Sequence, residues 1–367
     1  MSAAPLILQA FREPGRIDRF SLADWTLLLR QAAIANLTAC LYYLAEEHAM
    51  LERIPAEARE HLDWSRALGE RHAQAVRFEI REIGRALADT GVPLVFLKGA
   101  AYALAQLPPA RGRLFSDIDI LVPKERLGEV ESALMLHGWA GNHLDEYDQR
   151  YYREWMHEIP PMQHMRRQSL IDVHHAILPE TSAARPDPAR LRAAATPVEG
   201  AGGAAVFAPE DMVLHSAVHL FYDGELDHGL RDLLDIHRLL LRFGAAPGFW
   251  DRLPRRAAEL ELGRPLFYAL RYARELLHTP VPAAALAAAH AGAPNPLLLA
   301  LMDQLFRRAL LPTHASCADR FTGSARLLLY IRANWLRMPP LLLARHLFHK
   351  AFITPRDKQR AETDKPF

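Results

Sequence analysis

The chain is poor in cysteine, nearly neutral, and has no long apolar run. Its two cysteines, Cys40 and Cys317, are far apart and lack CxxC spacing. That excludes a disulfide framework and a cysteine-based zinc site, leaving two reduced, partly buried thiols as the expectation. The formal net charge of +1 excludes the global positive field of a general nucleic-acid binder. No apolar stretch approaches the roughly 18 residues that span a bilayer. No cationic leader with an apolar segment and cleavage site opens the sequence. A cytoplasmic protein without a transmembrane segment is expected. The phosphate loop GxxxxGK(S/T), a GxGxxG after a strand and the GxSxG elbow are also missing. P-loop, dinucleotide and serine-hydrolase readings therefore lack support.

What the sequence does have is apolar content, 50% of 367 residues, enough for a substantial core and two or three lobes. From Leu22 to Leu87 apolar residues recur at helical spacing, Leu27, Leu28, Ala32, Ala35 and Ala39 among them. Ser21 with Asp24 three residues on predicts a capping box, and Ile54-Pro55 separates this segment from the next helix. Ala67–Leu87 reads as a long amphipathic helix closed by Thr90-Gly91. From Val92 the pattern becomes short apolar runs, Leu94–Leu97, Ile118–Val122 and Leu170–Val173. Helical stretches lie between them at Ala100–Gln106 and Glu125–Leu136, and Gly138-Trp139 begins a further strand. The aromatic and charged segment Asp145–Glu158 is expected as an excursion or edge element near the site. Arg185–Gly203, rich in Ala, Pro and Gly, reads as a linker or exposed turn region. Helical pattern resumes at Pro209, whose followers Glu210 and Asp211 suit a first turn.

The expected fold is α+β. A helical lobe at 1–90 and another at 206–367 flank an α/β core at 91–205. The stretch Leu336–Phe352 mixes leucines with Arg337, Arg345, His346, His349 and Lys350. It reads as a packed terminal helix, with contact to a membrane surface or a partner as the alternative.

Chemistry concentrates in Val92–Val122, a strand, a Lys-Gly-Ala turn, a short helix and a second strand carrying Asp117-Ile118-Asp119. Alternation along a strand puts Asp117 and Asp119 on one side and Ile118 and Ile120 on the other. Adjacent carboxylates repel unless a cation sits between them, and such oxygen pairs suit Mg²⁺ bound together with phosphates. Asp172, in Leu170-Ile171-Asp172-Val173-His174, is the candidate third carboxylate, as metal ligand or base. His174 shares its face and could contact a phosphate, orient a carboxylate or move a proton. In Lys98-Gly99-Ala100, glycine lets backbone approach a phosphate at a helix start, and Lys98 adds charge. Arg113 could hold phosphate oxygens or pair with an aspartate. His215 and His219 share a helix face, but Ser216 stands where HExxH needs glutamate. They and Asp232 or Asp235 are expected either in a polar interhelical network beside the nucleotide or in plain helix packing.

The run LKGAAYALAQLPPARGRLFSDIDILV followed by LIDVHHAIL resembles nucleotidyltransferases of the DNA polymerase β superfamily. More narrowly it resembles a bacterial uncharacterised nucleotidyltransferase family with an LKG…R…DIDxLV pattern. The later LHSAVHLFYDGELDHGLRDLLDIHRLL is similar to that family's helical region, so the resemblance covers Val92–Leu240. It implies a small mixed sheet flanked by helices, a metal-bound NTP and transfer of a nucleoside monophosphate. On this resemblance Asp117 and Asp119 match the two metal-binding aspartates, Asp172 the third carboxylate, and Gly99 the turn glycine. The superfamily's turn is Gly-Ser or Gly-Gly, whereas Ala100 follows Gly99 here and Lys98 precedes it, a form the narrower family shares. The resulting reading is a Mg²⁺-dependent nucleotidyltransferase that moves a nucleoside monophosphate from an NTP to an unidentified acceptor, with release of pyrophosphate. A small molecule, a peptide, a protein and an RNA end all stand open as acceptor. Alternatives are a non-catalytic nucleotide-binding or interaction module of the same fold, and a metal-dependent phosphohydrolase. An RNA-acting transferase is disfavoured by the near-neutral charge.

Overall fold

Helical spacing of apolar residues builds the N-terminal part: α1 (Leu6–Arg12), α2 (Leu22–Ile34), α3 (Thr38–Glu47) and α4 (Ala56–Leu87). The predicted capping box is present, Asp24 N–H donating to Ser21 Oγ (3.2 Å) and Ser21 N–H to Asp24 Oδ2 (3.0 Å). Helix α4 starts directly after Pro55, earlier than the expected Ala67. Ala58 and Leu62 extend its buried face toward Val76, Ile80 and Ile83, and the charged residues between them masked that face in the sequence. This computed structural model describes residues 4–141 and 155–337.

Seven strands form one mixed sheet: β1 (Val95–Phe96), β2 (Asp117–Leu121), β3 (Trp139–Gly141), β4 (Met162–His164), β5 (Leu170–His174), β6 (Thr196–Pro197) and β7 (Ala205–Val206). Their order is β3-β4-β5-β2-β1-β7-β6. The pairs β2–β5 and β1–β7 are parallel, and the other pairs are antiparallel. The fold is therefore α+β, as the sequence led us to expect. Ile118, Ile120, Ile171 and Val173 are buried. Helices α5 (Lys98–Leu104) and α6 (Leu127–Leu136) both pack against α4.

Residues 185–203 are not a linker, although 199–203 are the exposed turn that the composition also suggested. Pro188–Ala193 forms α7, capped by Asp187 accepting from Ala189 N–H (2.8 Å), with Pro188 in the first turn. The chain then adds β6 to the sheet edge. Two strong local helix signals and a paired strand outweigh the Ala/Pro/Gly composition that suggested a spacer.

The C-terminal part holds α8 (Pro209–Tyr222), α9 (Gly229–Gly244), α10 (Phe249–Glu259), α11 (Gly263–Leu277), α12 (Ala283–Ala289), α13 (Pro296–Ala309) and α14 (Thr322–Arg337). Helix α8 is buried on nearly every side, wrapped by α9, α10, α11 and α14. Among the described residues, no single helix is long and apolar enough to cross a membrane. Cys40 is buried and Cys317 partly so, both free. Most of Asp145–Glu158 and all of Leu336–Phe352 beyond Arg337 lie outside the described residues.

One close approach positions the loop before β2. Gly112, at φ +76°, has its missing Cβ 2.7 Å from Ala39 C and Cys40 N, so a side chain there meets backbone. Gly112→Ala is expected to cost about 2–4 kcal/mol and lower the thermal midpoint by circular dichroism. Gly128→Ala, where a Cβ meets nothing within 4 Å, is expected to leave the midpoint unchanged or slightly raised.

Candidate active site

Strand pleating sets the site. In the parallel β2–β5 pair, Asp119 lies opposite Asp172 and Leu121 opposite His174. The two-residue period then brings Asp117, Asp119, Asp172 and His174 to one face. Carboxylate oxygens of the three aspartates all fall within 4.8 Å of one another.

Burial and the neighbouring charges together decide their protonation. Asp119, 3% exposed, accepts from Lys98 Nζ (2.8 Å) and from His174 Nε2 (2.9 Å) through one oxygen, Oδ1. Burial alone would raise its pKa, but Lys98 and then His174 outweigh that and hold it well below the usual range. Asp172 goes the other way. Burial, then the negative charges of Asp119 and Glu158, push its carboxyl up to about 7. The His174 ring stands between two carboxylates, its Nδ1 3.2 Å from Glu158 Oε2. Burial works against its charge, yet Glu158 and Asp119 raise its pKa.

The turn after β1 faces this cluster. Burial also disfavours the Lys98 ammonium, but Asp119 prevails and keeps it charged. Lys98 adopts φ +43°, a left-handed conformation costing a side-chain-bearing residue about 1–2 kcal/mol. The first backbone bond of α5 runs from Ala101 N–H to Leu97 O (3.1 Å), so the N–H groups of Gly99 and Ala100 precede the helical ladder. Gly99 also has a packing reason to be glycine. A Cβ there would meet Arg113 Nη1 at 2.6 Å and Phe115 Cε1 at 2.7 Å.

Arg113 itself is buried beneath this turn. Its Nε donates to Asp235 (2.6 Å), and Nη2 lies 3.7 Å from Asp232, both on α9. Sequence reasoning offered phosphate or a nearby aspartate as its partner; the guanidinium is in fact committed to the helical lobe. Asp232 is shared with Arg231 (2.8 Å) and approaches His219 Nε2 (3.9 Å). On α8, Ser216 Oγ and Tyr102 OH of α5 are 2.6 Å apart. His215 packs edge-on against Phe207. Burial, and after it the charge of Lys98, pushes the His215 and His219 imidazoles down, toward the neutral form. His219, Asp232, Asp235 and Arg113 form a polar cluster between helices, whereas His215 is packed against Phe207; both histidines sit within electrostatic reach of Lys98 and Asp119.

Sequence reasoning put the end of the segment Asp145–Glu158 near the site without singling out His157 or Glu158, which lie beside His174. They lie at the end of an aromatic, charged segment and are tied to β5 by the bridge of Glu158 to His174 and by backbone bonds from His175 N–H to His157 O (2.8 Å) and from Ile159 N–H to Val173 O (3.0 Å). With Glu158, four carboxylates face Lys98 and His174, leaving net negative charge. Three hard oxygen donors so arranged fit a divalent cation of the Mg²⁺ kind, and Asp117, Asp119 and Asp172 are the residues that would hold it.

Two outcomes follow from these charges. Asp172 has a carboxyl near 7 in the fold against about 3.9 in an unfolded chain. Its contribution to stability is therefore fully present below about pH 4 and lost as pH rises through about 7. Asp172→Asn should raise the thermal midpoint of the metal-free protein at about pH 8 by about 2 °C or more, and leave it nearly unchanged at about pH 4. Arg113→Met strands Asp235 and Asp232 without their buried cation and is expected to cost about 3–5 kcal/mol in denaturant unfolding.

No curated protein matches the chain by sequence. Among solved structures, the antibiotic-resistance factor ANT(2'')-Ia, determined in solution, aligns with 17% identity over 56% of this chain and 98% of its own. Its TM-score of 0.35 is too low to bear on fold or substrate. Residues 21–278 match the family described as uncharacterised nucleotidyltransferase. That span is well over half of the chain and contains every residue of the aspartate cluster; the chain belongs to this uncharacterised nucleotidyltransferase family.

Proposed function

We propose that this nucleotidyltransferase uses Mg²⁺ and an NTP, transferring the nucleoside monophosphate to an acceptor hydroxyl or phosphate with release of pyrophosphate. One observation carries the reading. Asp119 and Asp172 oppose each other across β2–β5, with Asp117 on the same face and oxygens of all three within 4.8 Å. A divalent cation held by Asp117, Asp119 and Asp172 would neutralise phosphate charge as the bond to the α-phosphorus changes hands.

The protein's own groups then take distinct parts. Lys98, with the N–H groups of Gly99 and Ala100, faces the triphosphate. Arg113 positions that turn from beneath through its contact with Gly99. His174 orients Asp119. Asp172, opposite Asp119 across the strand pair, is placed to take the acceptor's proton. In the transfer, an acceptor oxygen bonds to the α-phosphorus, the bond to the bridging oxygen breaks, and pyrophosphate carries away that electron pair. The lobes at 1–90 and 206–367 would shape the acceptor pocket around the 91–205 core. A groove of about 900 Å³ runs between α4 and the core, with no lining residue from 206–367 and none of the aspartates. Lined by His72, Arg77, Arg81, Arg113 and Phe115 among others, it reaches the loop that leads into Asp117.

NTP labelled at the α-phosphate, incubated with Mg²⁺ and a cell extract, should transfer label to an extract component. Asp117→Asn and Asp119→Asn should each lower that transfer by at least about a hundredfold while circular dichroism stays as in the wild type. Full transfer by either variant overturns the site. Label released as free nucleoside monophosphate with no acceptor points instead to a phosphohydrolase. Nucleotide retention without turnover points to a binding module.

A further inference from the structure

A second donor cluster lies beside the aspartates. One ligand atom from each of His157, Glu158 and His174 falls within 4.8 Å of the others. His174 is already arranged as a metal-binding histidine. Its Nε2 is held by Asp119 (2.9 Å), and a carboxylate on the far nitrogen is the usual device that fixes the ring and its tautomer. That leaves Nδ1 directed toward Glu158 Oε2, 3.2 Å away. Two donors at about 2.0–2.1 Å from a tetrahedral ion lie about 3.4 Å apart, so this pair is already near the required separation.

His157 supplies the third corner. Its ring centroid is 5.2 Å from that of His174, and its Nδ1 is buried with no hydrogen-bond partner among the described residues. The backbone fixes the arrangement, since His157 O accepts from His175 N–H (2.8 Å) and Glu158 bridges to His174. From this geometry we infer that His157, Glu158 and His174 form a second metal site, selective for a borderline divalent cation such as Zn²⁺. Two histidines and one glutamate with an open fourth position are a zinc donor set. The aspartate cluster offers oxygen alone, which suits Mg²⁺. The two sites thus sort ions by donor chemistry while sharing the His174–Asp119 contact. A metal on His174 Nδ1 leaves Nε2–H directed at Asp119 and so presets that carboxylate.

The test uses the full chain and needs no nucleotide. Chelator-stripped protein in excess Mg²⁺ is titrated with Co²⁺, a Zn²⁺ surrogate with visible absorption that reports nitrogen ligation. Wild type and Asp117→Asn should develop the absorption and lose it when Zn²⁺ is added. His157→Phe and Glu158→Gln should weaken Co²⁺ binding at least tenfold while their circular dichroism matches wild type. If one of these variants fails to fold, the other decides. The inference is overturned if wild type develops no absorption, if a folded His157→Phe or Glu158→Gln titrates as wild type does, or if Asp117→Asn alone abolishes the signal.

Discussion

Two like charges facing each other across a strand pair are the constraint on which the rest of the site depends. Unit charges about 4 Å apart cost about 4 kcal/mol at the effective dielectric of a partly buried site. The opposition of Asp119 and Asp172 is therefore sustained only by compensation. That compensation is one-sided. Lys98 and His174 both bind Asp119 Oδ1, so Asp119 stays ionised while Asp172 is driven up to about 7. The result is one permanently charged carboxylate beside one able to exchange a proton near neutral pH. Burial and like charge raise Asp172, while Lys98 and His174 hold Asp119 down against the same burial.

The sheet does not hold this arrangement alone. The turn carrying Lys98 rests on Arg113 and Phe115, which occupy the space a Cβ on Gly99 would need. Arg113 is in turn anchored by Asp235 and Asp232 on α9. Gly112 presses the same loop against α3. The strand-to-helix turn is thus clamped between the N-terminal helices and the C-terminal lobe. Parts of the chain far apart in sequence fix the position of one ammonium group. Breaking the Arg113 cluster would disturb the site as well as the fold, because a buried ion pair that loses one partner leaves a bare charge.

Much of this was legible in the sequence because it depends on short-range pattern. Alternation fixed the shared face of Asp117, Asp119, Asp172 and His174. Ser21 and Asp24 announced their helix start. Period changes marked where helices gave way to strands. What stayed hidden depends on contacts between distant residues or on weak local signals. Arg113 reads as a phosphate ligand or a partner of a strand aspartate until α9 brings Asp235 to it. Gly99 reads as a phosphate turn, and its packing against Phe115 carries no local mark. Glu158 and His157 are not singled out as site residues until the chain folds back along β5. The linker reading of 185–203 misled because composition outvoted the Asp187-Pro188 cap and the edge pairing of β6.

The central claim is that nucleotide and cation meet on the aspartate face of β2 and β5. Calorimetric titration of each NTP, with and without Mg²⁺, into wild type and the Asp117→Asn/Asp119→Asn double variant tests it most directly. The account predicts Mg²⁺-dependent binding of at least one NTP to wild type, lost in a double variant that retains wild-type circular dichroism. Binding that survives the double substitution, or that is indifferent to Mg²⁺, would contradict it.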